Sequence, residues 1–419
     1  MDITLKHASF AERIAAPTSK SAAHRQMIAA AFATAPTDIR FAGSCEDIDA
    51  TARCLRALGI NIKEQEGGLR VTPCEKNPES AVCDCGESGS TLRFLLPIAA
   101  ALGIKTTFLR RGRLPQRPME PLISVLREHG AVVEEGEMGA LKVSGKLEPG
   151  KYAIDASVSS QFVTGLLFAL SLLPYPSTLM LKGEVQSTPY INMTLEALAR
   201  FGAAPIAVAA GHLLGIPGYL AQPLRSPGVI ETEGDYSGAA FALAAGAIGD
   251  HPVTVTGLSF PSMQGDMEIL ELLDKFGAAI DVDIQKGYVT VSPAPLHGIE
   301  IDAKQIPDLV PALAVVACAA EGDTVITGAA RLRLKESDRL STTAAMIRAL
   351  GGEIEEREDG FLVHGKGRLV GGLVDGAKDH RIVMSGALAS LICEEEVHIC
   401  GIEAVKKSFP DFFKTALKV

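Results

Sequence analysis

The sequence has no tryptophan, only 5% aromatic residues and no excess of positive charge: 40 Lys and Arg stand against 50 Asp and Glu, a formal net charge of −10. Nucleic-acid affinity rests on Lys and Arg clustered over a broad face. That balance therefore excludes a phosphate-backbone binder, and any basic patch here must be local. No apolar run reaches the roughly 20 residues that span a bilayer. The most apolar one, "FVTGLLFALSLLP" at 162–174, has the length of a buried core helix. The eight cysteines form no Cys-x-x-Cys pair, and Cys83-x-Cys85 has no nearby histidine to complete a zinc set. They read as reduced, mostly buried thiols, and no metal is expected. The opening "MDITLKHASF" lacks the basic and apolar regions of a secretory signal. A cytoplasmic protein is expected, with neither membrane nor nucleic acid among its partners.

What the chain does have is a repeat. Five segments of helical apolar spacing end in a glycine, at Gly59, Gly130, Gly202, Gly277 and Gly351, at intervals of 71, 72, 75 and 74 residues. A glycine after the last periodic residue is the left-handed stop of a helix. The C-terminal "SFPDFFKTALKV" reads as a sixth copy without its glycine. A second helix series starts near Lys20, Ser90, Ser160, Asp235, Asp308 and Arg381, and β-branched runs such as "IDVDIQKGYVTVSP" follow as hairpins. A period near 72 exceeds the 20 to 50 residues usual for solenoid units. The expected fold is α/β, two similar domains of three repeats each about a pseudo-threefold axis, with a crossover near 226–235.

The polar residues gather where the helices begin. Lys20, Ser21 and Arg25; Gly89, Ser90 and Arg93; Arg117; Ser159, Ser160 and Gln161; Ser187 and Tyr190; Asp235; Asp308; Lys335, Glu336 and Arg339; His380 and Arg381; and Lys407 all fall at or just before such starts. Ser and Asp there are also ordinary N-caps, Lys and Arg also ordinary surface charges, and His380 also an ordinary structural histidine. Cations at helix N-termini, however, oppose the macrodipole by a few tenths of a kcal/mol each. Eight of them in an acidic chain point to bound anions, phosphates or carboxylates, with Asp308 and Glu336 as acid and base groups among them.

The ordered blocks "PTSKSAAHR", "GESGSTLR", "LPQRPMEPL", "SSQF", "TPYINMT", "EGDYS", "SMQGD", "IPDLVPAL", "RLKESDR", "DHRIVM" and "KSFPDFF" resemble those of the enolpyruvyl transferases, from Pro17 to Phe413. "SSQF" and "RLKESDR" resemble the branch whose acceptor is shikimate 3-phosphate. The resemblance implies two domains of three βαβαββ units, an inside-out α/β barrel, with 19–232 binding mainly shikimate 3-phosphate. Residues 1–18 and 233–419 would form the other, contributing acid, base and phosphoenolpyruvate-binding groups. It implies transfer of the enolpyruvyl group of phosphoenolpyruvate to the 5-hydroxyl of shikimate 3-phosphate with release of phosphate, in aromatic amino-acid biosynthesis, by a monomer that closes on its substrates and needs no cofactor.

Carried over residue by residue, Ser159, Ser160 and Ser187 would hold the shikimate phosphate, Gln161 the ring, and Arg25 and Tyr190 the carboxylate; Ser21 and Arg331 would join them. Lys20 would lie between the substrates. Gly89, Arg117, Gln161, Arg339, Arg381 and Lys407 would line the phosphoenolpyruvate site. Asp308 would accept the hydroxyl proton, while Lys335 and Glu336, with His380 nearby, would manage the methylene proton. Three positions depart from the pattern: Glu87 replaces a common Asn, Phe94 a common Pro, and Arg331 a common Asn. The sister branch acting on UDP-N-acetylglucosamine often has a reactive Cys in the loop matching "LRRGRLPQR", and this chain has no Cys between Cys85 and Cys318. A binding protein that had lost the chemistry is the reading from another class.

Overall fold

A computed structural model describes residues 1–6, 8–206 and 212–418, and the backbone of Ala207 and Val208. The chain forms two compact units, Lys20–Thr232 and Met1–Ser19 with Glu233–Val419, each with its own apolar core. Among the described residues no helix is long and apolar enough to cross a membrane.

In the unit Lys20–Thr232 one repeat shows the plan. Strand Ser80–Asp84 leads to helix Gly89–Leu102, strand Lys105–Leu109, helix Glu120–Glu128 and the hairpin Ala131–Glu135 with Leu141–Gly145. The first two strands pair in parallel, and the last strand of the hairpin adds antiparallel to the second. That is a βαβαββ unit. It recurs from Lys151–Asp155 through helices Ser160–Ser171 and Thr188–Arg200 to the strand Leu213–Ile216. The third copy is closed from both ends of the unit: strand Val229–Glu231 runs parallel to Thr37–Arg40 and serves as the first strand for helix Lys20–Ala31.

The other unit repeats the scheme. Strand Arg13–Ala15 pairs in parallel with Val253–Thr256 and stands first for helix Tyr236–Ile248. Strand Glu300–Asp302 pairs with Glu321–Thr327 around helix Val310–Ala319. Strand Gly372–Asp375 pairs with Val397–Cys400 around helix His380–Ala389. This last copy has no hairpin of its own. The N-terminal strand Asp2–Leu5 fills the place, antiparallel to Val397–Cys400 with Asp2 opposite Cys400. The expected sixth helix is present but shortened: "SFPDFFKTALKV" yields a single helical turn, Phe412–Thr415, followed by the strand Leu417–Lys418. Phe412 is locked edge-on against Phe10, Phe241, Phe409 and Phe413. The phenylalanines serve a compact cluster there, not the stripe of a longer helix.

The two helix series differ in burial. Those that start near the polar residues are covered almost all round; in "YSGAAFALAAGAI" every residue but the last is buried, the state of a helix inside a core. The other series is amphipathic, as in Glu46–Ala57, whose Ile48, Ala52 and Leu55 face inward. The five glycines that follow it all have positive φ, from 82° to 112°, as a left-handed stop requires. Close approach of the inner helices also needs missing side chains. A Cβ on Gly165 would overlap the carbonyl of Arg93 and lie 2.8 Å from Pro97 Cγ. Gly165→Ala should therefore destabilise the protein by about 1–3 kcal/mol, the usual cost of overpacking, read as a lowered urea midpoint at unchanged slope.

Candidate active site

In the unit Lys20–Thr232, the inner helices present their N-termini through a hydrogen-bonded set. Lys20, the first residue of its helix, pairs with the buried Asp47 at 3.0 Å. One turn on, Arg25 is 3% exposed. It donates from Nε to Thr194 Oγ1 (2.8 Å), from Nη1 to the carbonyl of Ser21 (2.7 Å) and from Nη2 to the carbonyl of Tyr190 (2.8 Å). Burial pulls its guanidinium down to about 10. Phe94 lies beneath it, with its ring centroid 5.3 Å from Arg25 Cζ.

A second group joins the next two helices. Gln161 accepts from Arg93 Nη1 (2.7 Å) and donates to Ser90 Oγ (2.9 Å). Gly89 makes room for it, since a Cβ there would stand 2.8 Å from Arg117 Nη1 and 3.1 Å from Arg93 Nη1. Ser159 is the N-cap of helix Ser160–Ser171, accepting from Gln161 N. The backbone of Gln186 bonds back to Ala156 O at 3.4 Å. That contact ties the residue before Ser187, itself in the left-handed region at φ 52°, to the end of the strand that leads into helix Ser160–Ser171.

In the other unit the centre is Arg339, whose side chain is 2% exposed. It donates from Nε to Asp379 Oδ2, from Nη2 to Glu336 Oε2 and from Nη1 to Asp308 Oδ1, each at 2.8 Å. Asp308 also meets Lys335 Nζ at 3.3 Å and Arg381 Nη2 at 3.5 Å. Glu336 Oε1 lies 3.9 Å from Lys407 Nζ. His380 is buried, its Nδ1 3.7 Å from Asp379 Oδ1. Arg331 sits at the edge, donating to Lys304 O at 3.0 Å.

The charges set one another. Burial alone would push the Asp308 carboxyl up, but Arg381, Lys335 and Arg339 together hold it well below the ordinary carboxylate range. Burial pulls Lys335 down to about 8 against the opposing pull of Asp308. Arg339 loses to burial and gains more from Asp379, Glu336 and Asp308, so its guanidinium stays charged.

The caps differ from a simple reading of the sequence. Of Ser90, Ser160, Asp235 and Asp308, only Asp235 is an N-cap, accepting from Ser237 N at 2.9 Å. Ser88, Ser159 and Asp379 cap their helices instead. Three acidic partners were missed: Asp47, Asp379, one residue before His380, and Asp266. Asp379 had a signal, because an Asp two residues before Arg381 is at capping distance from its N–H. Asp47 had none, since it meets Lys20 from elsewhere in the chain, and Asp266, although it ends the block "SMQGD", had none for its partner Ser237. One group of described residues, Asp2, His398 and Cys400, has ligand atoms within 4.8 Å of one another. Asp2 already accepts from Gly401 N and His398 Nδ1 is shared with Thr4 Oγ1, so the set reads as polar contacts of a sheet edge.

The chain is similar to known proteins over nearly its whole length. A profile of the family "EPSP synthase (3-phosphoshikimate 1-carboxyvinyltransferase)" matches residues 6–416. The chain belongs to the EPSP synthase family. A 3-phosphoshikimate 1-carboxyvinyltransferase of Clostridium novyi is 38% identical over 416 residues, 96% of this chain and 94% of that one. One from Halobacterium salinarum is 38% identical over 424 residues, 99% and 97% of the two chains. The solved EPSP synthase of Acinetobacter baumannii superposes with a TM-score of 0.81 at 26% identity, covering 100% of this chain and 98% of that one. The enolpyruvyl transferase NikO of Streptomyces tendae, at 18% identity and TM-score 0.79, covering 100% and 98%, shares the fold.

Within this chain the departures find places. Glu87 seats its carboxylate where a side chain on Gly112 would stand, φ 54°, so it rests on the loop "LRRGRLPQR". Phe94 is wholly buried and packs edge-on to His24 at 6.2 Å. Asp379→Ala should lower stability by about 3–5 kcal/mol, because it takes from a buried guanidinium one of its three carboxylate partners and leaves Nε unbonded. Asp379→Asn, which keeps the capping oxygen, should cost less; chemical denaturation of both variants measures the difference.

Proposed function

We propose that the two polar clusters divide the work of enolpyruvyl transfer, with Asp308 and its three cations at the chemical step. The chain transfers the enolpyruvyl group of phosphoenolpyruvate to shikimate 3-phosphate, a reaction of aromatic amino-acid biosynthesis. Ser159, Ser160 and Ser187 would take the shikimate phosphate, where a helix N-terminus offers backbone N–H groups to an anion. Gln161 would meet the ring, and Ser21, Arg25, Tyr190 and Arg331 its other polar groups. Lys20, Gly89, Arg117, Gln161, Arg339, Arg381 and Lys407 would take phosphoenolpyruvate. The protein would work as a cytoplasmic monomer without a metal or cofactor.

The reaction needs an acid for the methylene carbon of phosphoenolpyruvate and a base for the 5-hydroxyl. The observation that carries the assignment is Asp308 between Lys335, Arg339 and Arg381. Those cations keep it ionised and ready to accept a proton. Anionic substrates engaging the same cations would loosen that hold and raise the carboxyl's basicity. Lys335, at about 8, holds its proton at neutral pH and gives it up readily. Glu336 beside it would share that proton, and His380 behind Asp379 would steady the helix start.

The test follows phosphate release from phosphoenolpyruvate in chelator-treated buffer, with shikimate 3-phosphate or UDP-N-acetylglucosamine as acceptor. Release should require shikimate 3-phosphate; release with the nucleotide sugar, or none, would refute the assignment. Asp308→Asn should lower kcat by about 10²–10⁴-fold, the usual range for a proton-transfer group. Because Lys335 is protonated below about 8 and neutral above it, kcat should fall as pH rises through that value. A permanently charged Lys335→Arg variant should lack that limb.

A further inference from the structure

The segment "SMQGD", residues 262–266, has so far no part in the chemistry, yet Gln264 and Asp266 are 6% and 1% exposed. Gln264 accepts from Tyr236 N at 3.1 Å and donates to Gly234 O at 2.8 Å, gripping the start of helix Tyr236–Ile248. Asp266 accepts a hydrogen bond from the hydroxyl of Ser237, the second residue of that helix. The carbonyl of the same Ser237 receives Arg381 Nη1 at 3.3 Å, and Nη1 also reaches the carbonyl of Asp308 at 2.9 Å. Arg381 is thus held by backbone carbonyls from the other two repeats of its unit. The direction of one of them depends on the first turn of helix Tyr236–Ile248.

We propose that Asp266 is a positioning residue which, through Ser237, fixes the carbonyl that aims Arg381 at the anionic substrate. Burying a carboxyl costs free energy unless it is bonded, and an apolar residue would fill a core turn at lower cost. Its neighbours are charged: Asp308 and Asp235 repel its anion, and Arg381 attracts it. Burial first, and then Asp308, push the Asp266 carboxyl up to about 7. Either protonation state retains an oxygen to accept from Ser237, so the contact persists across neutral pH.

The inference rests on the assignment of Arg381 to phosphoenolpyruvate. Steady-state kinetics on Asp266→Ala, Asp266→Asn, Ser237→Ala, the Asp266→Ala/Ser237→Ala pair and Arg381→Lys test it, with melting temperatures alongside. Asp266→Ala and Ser237→Ala should each raise KM for phosphoenolpyruvate about tenfold, leaving KM for shikimate 3-phosphate and kcat within about twofold. Asp266→Asn, which keeps an accepting oxygen, should restore KM. The pair should be no worse than its worse member, as two residues on one path must be. Additive losses, or a lower melting temperature with KM unchanged, would overturn the inference. A normal KM in Arg381→Lys would overturn it together with the assignment of Arg381; a raised KM there beside normal Ser237→Ala and Asp266→Ala would overturn it alone. Should Asp266→Ala not fold, Ser237→Ala decides between the same outcomes.

Discussion

A guanidinium taken out of water must be surrounded by acceptors or the fold cannot hold it, and Arg339 meets that condition with Asp379, Glu336 and Asp308. Each of these carboxylates has a second task. Asp379 caps helix His380–Ala389, Glu336 lies near Lys407, and Asp308 meets Lys335 and Arg381. One buried cation therefore ties the stability of the unit to the arrangement of its charged groups. Substitutions here are therefore expected to affect folding and chemistry together.

The repeat explains how such a cluster assembles. Each βαβαββ copy delivers an inner helix, and the N-termini of such helices favour anions through free N–H groups and the macrodipole. Cations placed there by the sequence would be destabilising alone. The chain balances them with its own carboxylates: Asp47 for Lys20, and Asp308, Glu336 and Asp379 for Arg339. Under the proposed assignment an anionic substrate would replace part of a balance that already exists.

Much of this was legible in the chain. The period near 72 and the five stop glycines reflect local rules, since a left-handed stop and an amphipathic stripe need only neighbours in sequence. The catalogue of cations at helix starts was legible for the same reason. The last repeat was not: nothing local says that Asp2–Leu5 replaces its hairpin, or that the phenylalanines after Ser408 gather into a cluster around a helix of one turn. The capping roles of Ser88 and Ser159 were displaced by one or two residues from the expected ones. Cap identity turns on where the first helical φ/ψ falls, which composition does not resolve.

By itself, then, the sequence determined the α/β repeat, the inner helices and the cations at their N-termini, because those depend on spacing along the chain. Tertiary structure alone decided which carboxylate faces which cation. Asp379 lies far along the chain from Arg339, and Asp308 from Arg381, and only the packing of one repeat on another brings such residues within reach of each other. It also decided that Val229–Glu231 and Arg13–Ala15 each complete a repeat begun elsewhere. Parallel strand pairing is a long-range contact that no local pattern encodes.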